Sequence, residues 1–403
     1  MEKFPWWTPD ISKFADEVTE FVDTRLRPLA EKMTAEQLDE INWEACRLLA
    51  EHKLTPLHVI TGAEDGGRDK GFTGLAILLE EISRSYLNVT PLMTALFVGY
   101  PIYLFGTKRQ KETYLYPLMK MEKTAAFCVT EPDVGSDVAS IQTRLRREGD
   151  GYILNGWKRF ITLGEIADFY LVCCLSDPSS EAKRLYRHLS AVLVPRDTKG
   201  ITTEKVNRLA GQTQMHNAVI RFKDVIIPQE DLILDEGSGW LVMNAALNIE
   251  RVTLSSLIGQ GRVLLESTKA YAKRRVQFGA PIAEYQLIQK EIADMVIKLR
   301  TARLLTYYLT YLLDSGTVDL LAWGVDASIA KIYITEALWE MANAAMLVHG
   351  GDGYTRDYPI ESIWKNVMLA RLAGGTNDIL RLFIARTELR KPAETKLLRD
   401  IYL

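Results

Sequence analysis

Cysteine is scarce in this sequence: the 403 residues contain four, and no pair is spaced as Cys-x-x-Cys. Neither a disulfide framework nor a cysteine-based zinc site is therefore expected, and a reducing compartment fits best. A surplus of positive charge is also lacking, because 49 Lys and Arg residues face 52 Asp and Glu residues and leave a net charge of −3. Such a balance supplies no basic field, so nucleic acid is not expected as a partner.

Long apolar runs are missing as well. No stretch approaches the roughly 18 to 20 apolar residues of a membrane span, and the N-terminal MEKFPWWTPD lacks the basic and apolar regions of a signal peptide. We expect a protein without a membrane span, located in the cytoplasm or, after removal of a presequence, in an organellar matrix. There is no Walker loop, no GxGxxG after a strand and no HExxH-type pair among the five histidines. Rossmann and metal enzymes are therefore not expected.

The spacing of the apolar residues divides the chain into three parts. It is helical over 1–122, alternates with a period of two over 123–236, and is helical again over 237–403. The helices expected in the last part are about 240–276, 285–314, 319–348, 359–372 and 377–389. Segments of this length argue for a bundle. The predicted fold class is α+β, with an N-terminal α-helical domain, a middle β-barrel or β-sandwich domain and a C-terminal four-helix bundle.

Two short segments of the middle part combine features of a cofactor site. Residues 127–137, FCVTEPDVGSD, join a strand-like apolar run to a turn that exposes backbone N–H groups, which can hold phosphate or flavin oxygens. Residues 158–162, KRFIT, follow a strand, and a period of two places Phe160 and Thr162 on one face. An aromatic plane beside a hydroxyl suits stacking on an isoalloxazine ring and hydrogen bonding to it.

Together these segments resemble the flavin cradle of the acyl-CoA dehydrogenase family. The resemblance covers most of the chain, from the LEEI segment at 79–82 to Ala385 and Arg386 near the end. It implies the same order of helical, β and helical domains, FAD as the cofactor and an acyl-CoA as the substrate. It further implies a trans-2-enoyl-CoA product, electron transfer to an electron-transferring flavoprotein, and a homotetramer.

The chain departs from the family at the residue that removes the α-proton. Many members carry this base in a Glu-Gly-Thr motif, whereas residues 373–376 read Ala-Gly-Gly-Thr here, with Gly374 at the position of the carboxylate. Glu250 is the candidate base, because its helical neighbours form an apolar stripe without a cation. Burial would raise its pKa toward the working pH. The subgroup with isovaleryl-CoA and long-chain acyl-CoA dehydrogenases has its base at the matching position. The alternative is a glutamate that turns to solvent or pairs with a distant arginine.

Residues beside the candidate base resemble the family's contacts to the substrate. Arg251 is similar to the family's arginine near CoA, and Asn248 is similar to a polar contact of the pantetheine arm. Gly374 is a second hypothesis: its N–H could donate to the thioester oxygen, and its missing Cβ would leave room for a branched acyl group. The predicted substrate-binding residues are Ser136, Asn248, Arg251, Gly374 and Gly375.

Further residues resemble the family's contacts to FAD. Residues 275–279, RVQFG, are similar to the signature that reaches the cofactor of a neighbouring subunit, and residues 349–354, HGGDGY, place glycines at a helix end. Thr376 opens the final helix, whose N-terminus favours pyrophosphate. Leu347 replaces a frequent glutamine, so one of the family's hydrogen bonds to FAD lacks its side chain. The predicted cofactor-binding residues are Phe127, Val129, Thr130, Gly135, Ser136, Phe160, Thr162, Arg275, Phe278, Gln286, Leu347, Gly350, Gly351, Thr376 and Asp378.

Other functions fit the same cradle and stay open at this point. An enoyl-CoA reductase, a flavin oxidase and a monooxygenase would use the same cofactor site, and a catalytically silent subunit would have lost its base with the carboxylate at position 374. The sequence does not give the length or branching of the acyl chain. The absence of arginine from 88–100 disfavours a substrate with a second carboxylate.

Overall fold

The computed structural model describes residues 1–211, 215–317 and 319–390. Residues 391–403, which end the predicted C-terminal domain, lie outside the described residues. The predicted order of a helical, a β and a second helical region is confirmed. None of the helices described is long and apolar enough to cross a membrane. Across the same residues, no cluster of His, Cys, Asp and Glu side chains is arranged to hold a metal ion.

The N-terminal region is a set of packed helices with well-defined starts. They are α1 (Pro9–Phe21), α2 (Arg27–Ala30), α3 (Ala35–Asp39), α4 (Trp43–Glu51), α5 (Pro56–Ile60), α6 (Gly71–Ile82), α7 (Thr90–Phe105), α8 (Lys108–Gln110) and α9 (Tyr116–Met119). The Thr8 side chain caps α1 by accepting the Ile11 N–H at 3.2 Å, and Pro9 follows at the first helical position. Helix α6 is buried along most of its length, so it forms the centre of this region.

The middle region is one curled, seven-stranded sheet. Its strands are β1 (Ala125–Cys128), β2 (Arg144–Glu148), β3 (Gly151–Ile161), β4 (Phe169–Leu175), β5 (Leu189–Pro195), β6 (Ile201–Val206) and β7 (Ala218–Pro228). Strand β4 pairs in parallel with β1 and antiparallel with β5, and β3 pairs antiparallel with both β2 and β7. The short helix α10 (Ser180–Arg184) lies between β4 and β5. Buried apolar side chains fill both β4 and β5, as expected for strands in a protein interior.

The C-terminal region is a bundle of long helices. It contains α11 (Gly239–Thr253), α12 (Ser255–Arg274), α13 (Gln286–Asp314), α14 (Leu320–His349), α15 (Ile360–Leu372) and α16 (Asn377–Glu388), with a hairpin of β8 (Val276–Gln277) and β9 (Ala280–Pro281) between α12 and α13. The prediction of one helix over 240–276 is wrong, because the helix breaks at Leu254. The Thr253 hydroxyl donates to the Glu250 carbonyl at 2.7 Å and the Ser255 hydroxyl donates to the Val252 carbonyl at 2.9 Å, which weakens the regular backbone bonding there.

The two helical regions are joined by buried polar contacts. Both carboxylate oxygens of Asp314, at the end of α13, accept the N–H groups of Phe72 and Thr73 at 2.7 and 2.9 Å and so cap α6. Further along α6, the buried Glu80 carboxylate accepts Arg303 Nε of α13 at 3.1 Å through both oxygens. The apolar core around α6 also includes side chains of the sheet and of α11. The three regions therefore share one core, and α11 is fixed against the other two.

Candidate active site

Glu250 lies in the last turn of α11, directly opposite the turn between α15 and α16. A Cβ added to Gly374 would lie only 2.6 Å from Cδ of Glu250, closer than any non-bonded carbon atoms approach. The Glu250 carboxylate therefore fills the space that a side chain at position 374 would occupy. The expectation that Gly374 leaves room for a branched acyl group is wrong at this point, because the carboxylate takes that room.

Glu250 is half-buried, and its carboxylate lies near positive charges without a salt bridge. Burial raises the pKa of the Glu250 carboxyl above its ordinary value, and the charges of Arg251 and Lys331 oppose that rise without cancelling it. None of the ion pairs in the described ranges includes Glu250. The sequence-based alternatives, a glutamate in bulk solvent or one paired with a distant arginine, do not match this arrangement.

The turn that faces Glu250 is built on two glycines. Gly374 and Gly375 have φ values of +62° and +83°, in the left-handed region that favours glycine. Arg251 donates from Nη2 to the Gly374 carbonyl at 2.7 Å, so the guanidinium expected near CoA is bound to this turn. Thr376 begins the last helix, and its hydroxyl accepts the Ile379 N–H at 3.3 Å. One N–H group expected to be free for pyrophosphate is therefore already bonded.

Lys331 of α14 also holds this turn, and the sequence did not predict it as a residue of the site. Its buried ammonium donates to the Gly375 carbonyl at 3.0 Å, to the Arg371 carbonyl at 3.3 Å and to Asn377 Oδ1 at 2.7 Å. Burial, with the positive charge of Arg251, lowers the pKa of Lys331 to about 8. The sequence holds one signal that would have found it: a lone lysine whose neighbours three and four positions away are small, apolar or hydroxylic.

The two predicted cradle segments meet in the middle region. The Arg159 N–H donates to the Thr130 carbonyl at 2.8 Å, and the buried Lys158 ammonium donates to the Val129 carbonyl at 2.8 Å. Lys158 also bonds to the buried carboxylate of Glu131 at 2.9 Å. Burial would raise the pKa of the Glu131 carboxyl, but Lys158 and neighbouring donors hold it below its ordinary value. This ion pair was also missed, because its members are far apart in the sequence and no local pattern links them.

Phe160 and Thr162 do not alternate along a strand as predicted. Phe160 has a φ of +59°, β3 ends at Ile161, and the pairing with β7 shifts register between Lys158 and Ile161. The bulge turns the ring outward, and half of its surface is exposed. Arg159 stacks on it, with Cζ 4.5 Å from the ring centroid. The period-two argument is therefore wrong, although the two segments do come together.

The remaining predicted residues of the first turn lie between the sheet and α11. Phe127 and Val129 pack against a core cluster that includes Met243 of α11, and this contact joins the cradle to the helix that carries Glu250. Gly135 and Ser136 are exposed on the turn. Two further predicted residues are exposed on helices: Asn248 on α11, and Asp378 on α16, where its carboxylate accepts Arg381 at 3.3 Å.

A second group of predicted residues surrounds the β8–β9 hairpin. Arg275 is exposed after α12, and Phe278 at the hairpin tip has a φ of +53° and is 98% exposed. The Tyr285 hydroxyl donates to the Gln277 carbonyl at 2.8 Å and holds the hairpin in place. Gln286 begins α13 and is exposed. The hairpin thus holds the Phe278 ring in solvent.

The glycine turn after α14 packs beside this hairpin. Gly350 has a φ of +60°, and a Cβ added to it or to Gly351 would meet no atom within 4 Å. The Tyr271 hydroxyl of α12 donates to Asp352 at 2.8 Å and fixes the turn. Leu347, one turn earlier on α14, is 79% exposed. Within the described chain, no hydrogen bond or ring contact links this second group to the group around Glu250.

The residues of both groups fit a flavin nucleotide. In the described part of the protein, the hydroxyls of Thr130, Thr162 and Ser136 have no hydrogen-bond partner and remain available as donors. The outward ring of Phe160 offers an apolar plane beside them. In the second group, Arg275 and bare glycine backbone suit phosphate oxygens.

Comparisons with known proteins agree with this assignment along the whole chain. Three domain families match in order: the acyl-CoA dehydrogenase N-terminal domain over 8–122, the middle domain over 126–225 and the C-terminal domain over 237–389. A protein of Bacillus subtilis (strain 168) named acyl-CoA dehydrogenase is 33% identical over 373 residues, which cover 92% of this chain and 95% of the relative.

Two further similarities extend the range of activities among relatives. The acryloyl-CoA reductase (NADH) of Anaerotignum propionicum is 31% identical over 376 residues, covering 92% of each chain. The solved structure of PigA in complex with FAD has a TM-score of 0.87 at 26% identity and covers 97% of this chain and 100% of PigA. The chain therefore belongs to the acyl-CoA dehydrogenase family of FAD-dependent oxidoreductases.

Proposed function

We propose that this protein oxidises an acyl-CoA thioester between Cα and Cβ to a trans-2-enoyl-CoA, with Glu250 as the base. The observation that carries the proposal is the position of the Glu250 carboxylate in the space of the missing side chain at Gly374. A carboxylate is thus retained at this turn, although it comes from another helix. FAD, when bound, supplies the acceptor for the hydride that leaves Cβ.

The environment of Glu250 suits removal of a weakly acidic proton. The α-proton passes to the Glu250 carboxylate as the hydride leaves Cβ. The acyl group therefore loses one proton and one hydride, which together are two protons and two electrons. A base works best when its pKa lies near the working pH, and burial moves the pKa of Glu250 in that direction. The positive charges of Arg251 and Lys331 oppose that rise and so favour the ionised form, which is the form that accepts the proton.

Backbone N–H groups of the glycine turn are the proposed donors to the thioester oxygen. Because peptide groups are planar and trans, binding of the Gly374 carbonyl to Arg251 directs the Gly375 N–H to the opposite side. In the chain as described, no acceptor occupies the N–H groups of Gly374 and Gly375. Donors held in place before the reaction stabilise the enolate charge that develops on the oxygen.

The exposed second group supports an assembly of several copies. Phe278 and Leu347 leave large apolar surfaces in solvent, which is typical of residues covered in a complex. We propose a homotetramer in which Arg275 and Phe278 contact the FAD of a neighbouring subunit. An electron-transferring flavoprotein is the proposed acceptor of the electrons.

A reductase is the second candidate, since one relative is named acryloyl-CoA reductase (NADH). The same base and the same donors serve both directions, because a reaction and its reverse share one transition state. A flavin oxidase, the alternative predicted from the sequence, would differ from the proposed dehydrogenase only in the molecule that receives the electrons.

Anaerobic mixing of the FAD-loaded protein with butyryl-CoA, isovaleryl-CoA, octanoyl-CoA and palmitoyl-CoA tests the proposal. We expect at least one thioester to bleach the flavin absorbance and to leave the matching enoyl-CoA in mass spectra. Bleaching followed by rapid peroxide formation in air would favour an oxidase, and NADH-dependent consumption of enoyl-CoA would favour a reductase. A loaded flavin that none of the thioesters reduces would contradict the dehydrogenase.

A further inference from the structure

Lys331 is a buried lysine whose hydrogen-bonding capacity is completely used. It is 2% exposed, and its three partners all belong to the segment from the end of α15 to the start of α16: the Arg371 carbonyl, the Gly375 carbonyl and Asn377 Oδ1. An ammonium has three N–H donors, whereas a neutral amine has two. The protonated form alone can therefore hold all three partners at once.

The partners of Lys331 are themselves fixed to α14. Asn377 donates from Nδ2 to Thr335 Oγ1 at 3.0 Å and to Glu336 Oε1 at 3.2 Å. Thr335 lies four residues after Lys331, so both contacts come from one face of the same helix. The glycine turn is therefore held on this side by α14, and on the other side by Arg251 through the Gly374 carbonyl.

The charged groups around Lys331 lie on three helices. Glu250 and Arg251 face it from α11, Glu336 lies on its own helix, and Arg371 faces it from α15. On α16, Arg381 bonds to Glu336 at 2.6 Å and draws that carboxylate toward the surface. Glu250 in turn has Lys331 and Arg251 as its neighbouring charges. Lys331 is thus one of two cations that favour ionised Glu250.

We propose that Lys331 is a positioning residue for the dehydrogenation: its three hydrogen bonds fix the glycine turn against Glu250, and its positive charge favours the ionised carboxylate that accepts the proton. The inference rests on the proposed function, because it concerns the same base and the same turn. Fixing the Gly375 carbonyl also sets the direction of the Thr376 N–H, since the two belong to one planar peptide group.

Replacement of Lys331 by methionine tests the inference, because methionine keeps the apolar stem and removes the charge and the donors. With the most reactive of the four thioesters named above, we expect flavin reduction to slow about 10- to 100-fold. The acid side of its pH profile should move about one unit upward, because the pKa of Glu250 rises further without the cation. The wild-type rate should also fall above about pH 8, where Lys331 loses its proton, and this fall should be absent from the variant.

Tyr114→Phe is the matched control, since it removes a buried hydrogen bond of 3.1 Å to Asp231 far from the turn. It should lower the melting temperature without moving the pH profile. A Lys331→Met protein that binds FAD and keeps the wild-type rate and profile would overturn the inference. If Lys331→Met is unchanged in this way while wild type bleaches with a thioester and Glu250→Gln does not, the proposed function stands and only the role of Lys331 is removed.

Asn377→Ser gives an independent test that does not depend on folding of Lys331→Met. It keeps the ammonium but removes the acceptor that binds it most closely, at 2.7 Å. We expect the rate to fall about tenfold from the loosened turn while the acid side of the profile stays at its wild-type position. An unchanged rate would contradict the positioning role, and a shifted acid side would contradict the separate role of the charge.

Discussion

Two carboxylate sites on the helical regions, the fully buried Glu80 and the half-buried Glu250, differ in the ion pairs that match their charge. At the seam between α6 and the bundle, Glu80 accepts Arg303, Arg262 at 2.9 Å and the Tyr307 hydroxyl at 2.8 Å. The neighbouring carboxylate of Glu81 forms ion pairs with Arg262 and with Arg84, which follows the end of α6. At the turn after α15, Glu250 has charged neighbours but forms no ion pair among the residues described.

The difference separates a carboxylate whose ion pairs join parts of the fold from one that forms no ion pair and is the proposed base. A buried charge with every lone pair occupied cannot take up a proton without losing several bonds. The Glu250 carboxylate gives up no ion pair when it accepts a proton, and burial already favours its protonated form. Burial alone therefore does not mark a catalytic group, and it is the absence of an ion pair beside a bare glycine turn that supports the proposal of Glu250 as the base.

The largest effect on stability is expected at the paired site. Arg303→Met leaves Glu80 with an incompletely compensated charge in the core and should destabilise the protein by about 3–5 kcal/mol, measured by chemical denaturation of the FAD-loaded form. The matched control is Arg356→Met, which breaks a partly exposed ion pair of 2.6 Å with Asp39 and should cost at most about 1 kcal/mol. Equal losses in the two variants would remove the distinction between the sites.

A change at the reactive site should affect the rate more than the fold. Gly374→Ala places a Cβ against the Glu250 carboxylate and should slow flavin reduction by acyl-CoA about 10- to 100-fold. The left-handed backbone adds a cost of about 1 kcal/mol in stability. Gly149→Ala is the control, because Gly149 has a φ of +58° and open space around an added Cβ. If the two variants reduce flavin equally fast, the carboxylate does not depend on a bare position 374.

The smallest expected effect is a change with pH in the difference between the melting temperatures of wild type and Glu250→Gln. In the folded protein the pKa of Glu250 is raised, so ionisation at neutral pH costs stability, and that cost disappears as pH falls toward the carboxyl's ordinary value of 4.5. Glu250→Gln should therefore melt at a slightly higher temperature than wild type at pH 8, with a smaller difference at pH 5. A difference that grows on acidification would reverse the sign of the proposed pKa shift.

Long, regular elements were predictable from the sequence because their apolar spacing persists over many turns. The helices expected over 285–314 and 377–389 are found as Gln286–Asp314 and Asn377–Glu388. The break at Leu254 was missed, since it arises from hydroxyls that bond to backbone carbonyls within an otherwise helical pattern. The outward turn of Phe160 was missed because a bulge changes the face of a strand without a Gly or Pro signal.

Only those parts of the candidate site that form local sequence motifs were predictable from the sequence. Gly374 was singled out as the position of a missing carboxylate and Glu250 as its possible replacement, but their proximity required the folded chain. The Lys331–Asn377 and Lys158–Glu131 contacts join residues 46 and 27 positions apart. Such pairs are set by the packing of whole elements, which local sequence patterns do not show.

Glu250→Gln provides the most direct test of the central claim that the Glu250 carboxylate is the base. Stopped-flow flavin reduction by the best acyl-CoA of the panel should slow about 10²- to 10⁴-fold, with FAD content retained and no loss of melting temperature. A variant that holds FAD and reduces it within about threefold of the wild-type rate would contradict the claim, because a group that removes the α-proton cannot be lost at so small an effect.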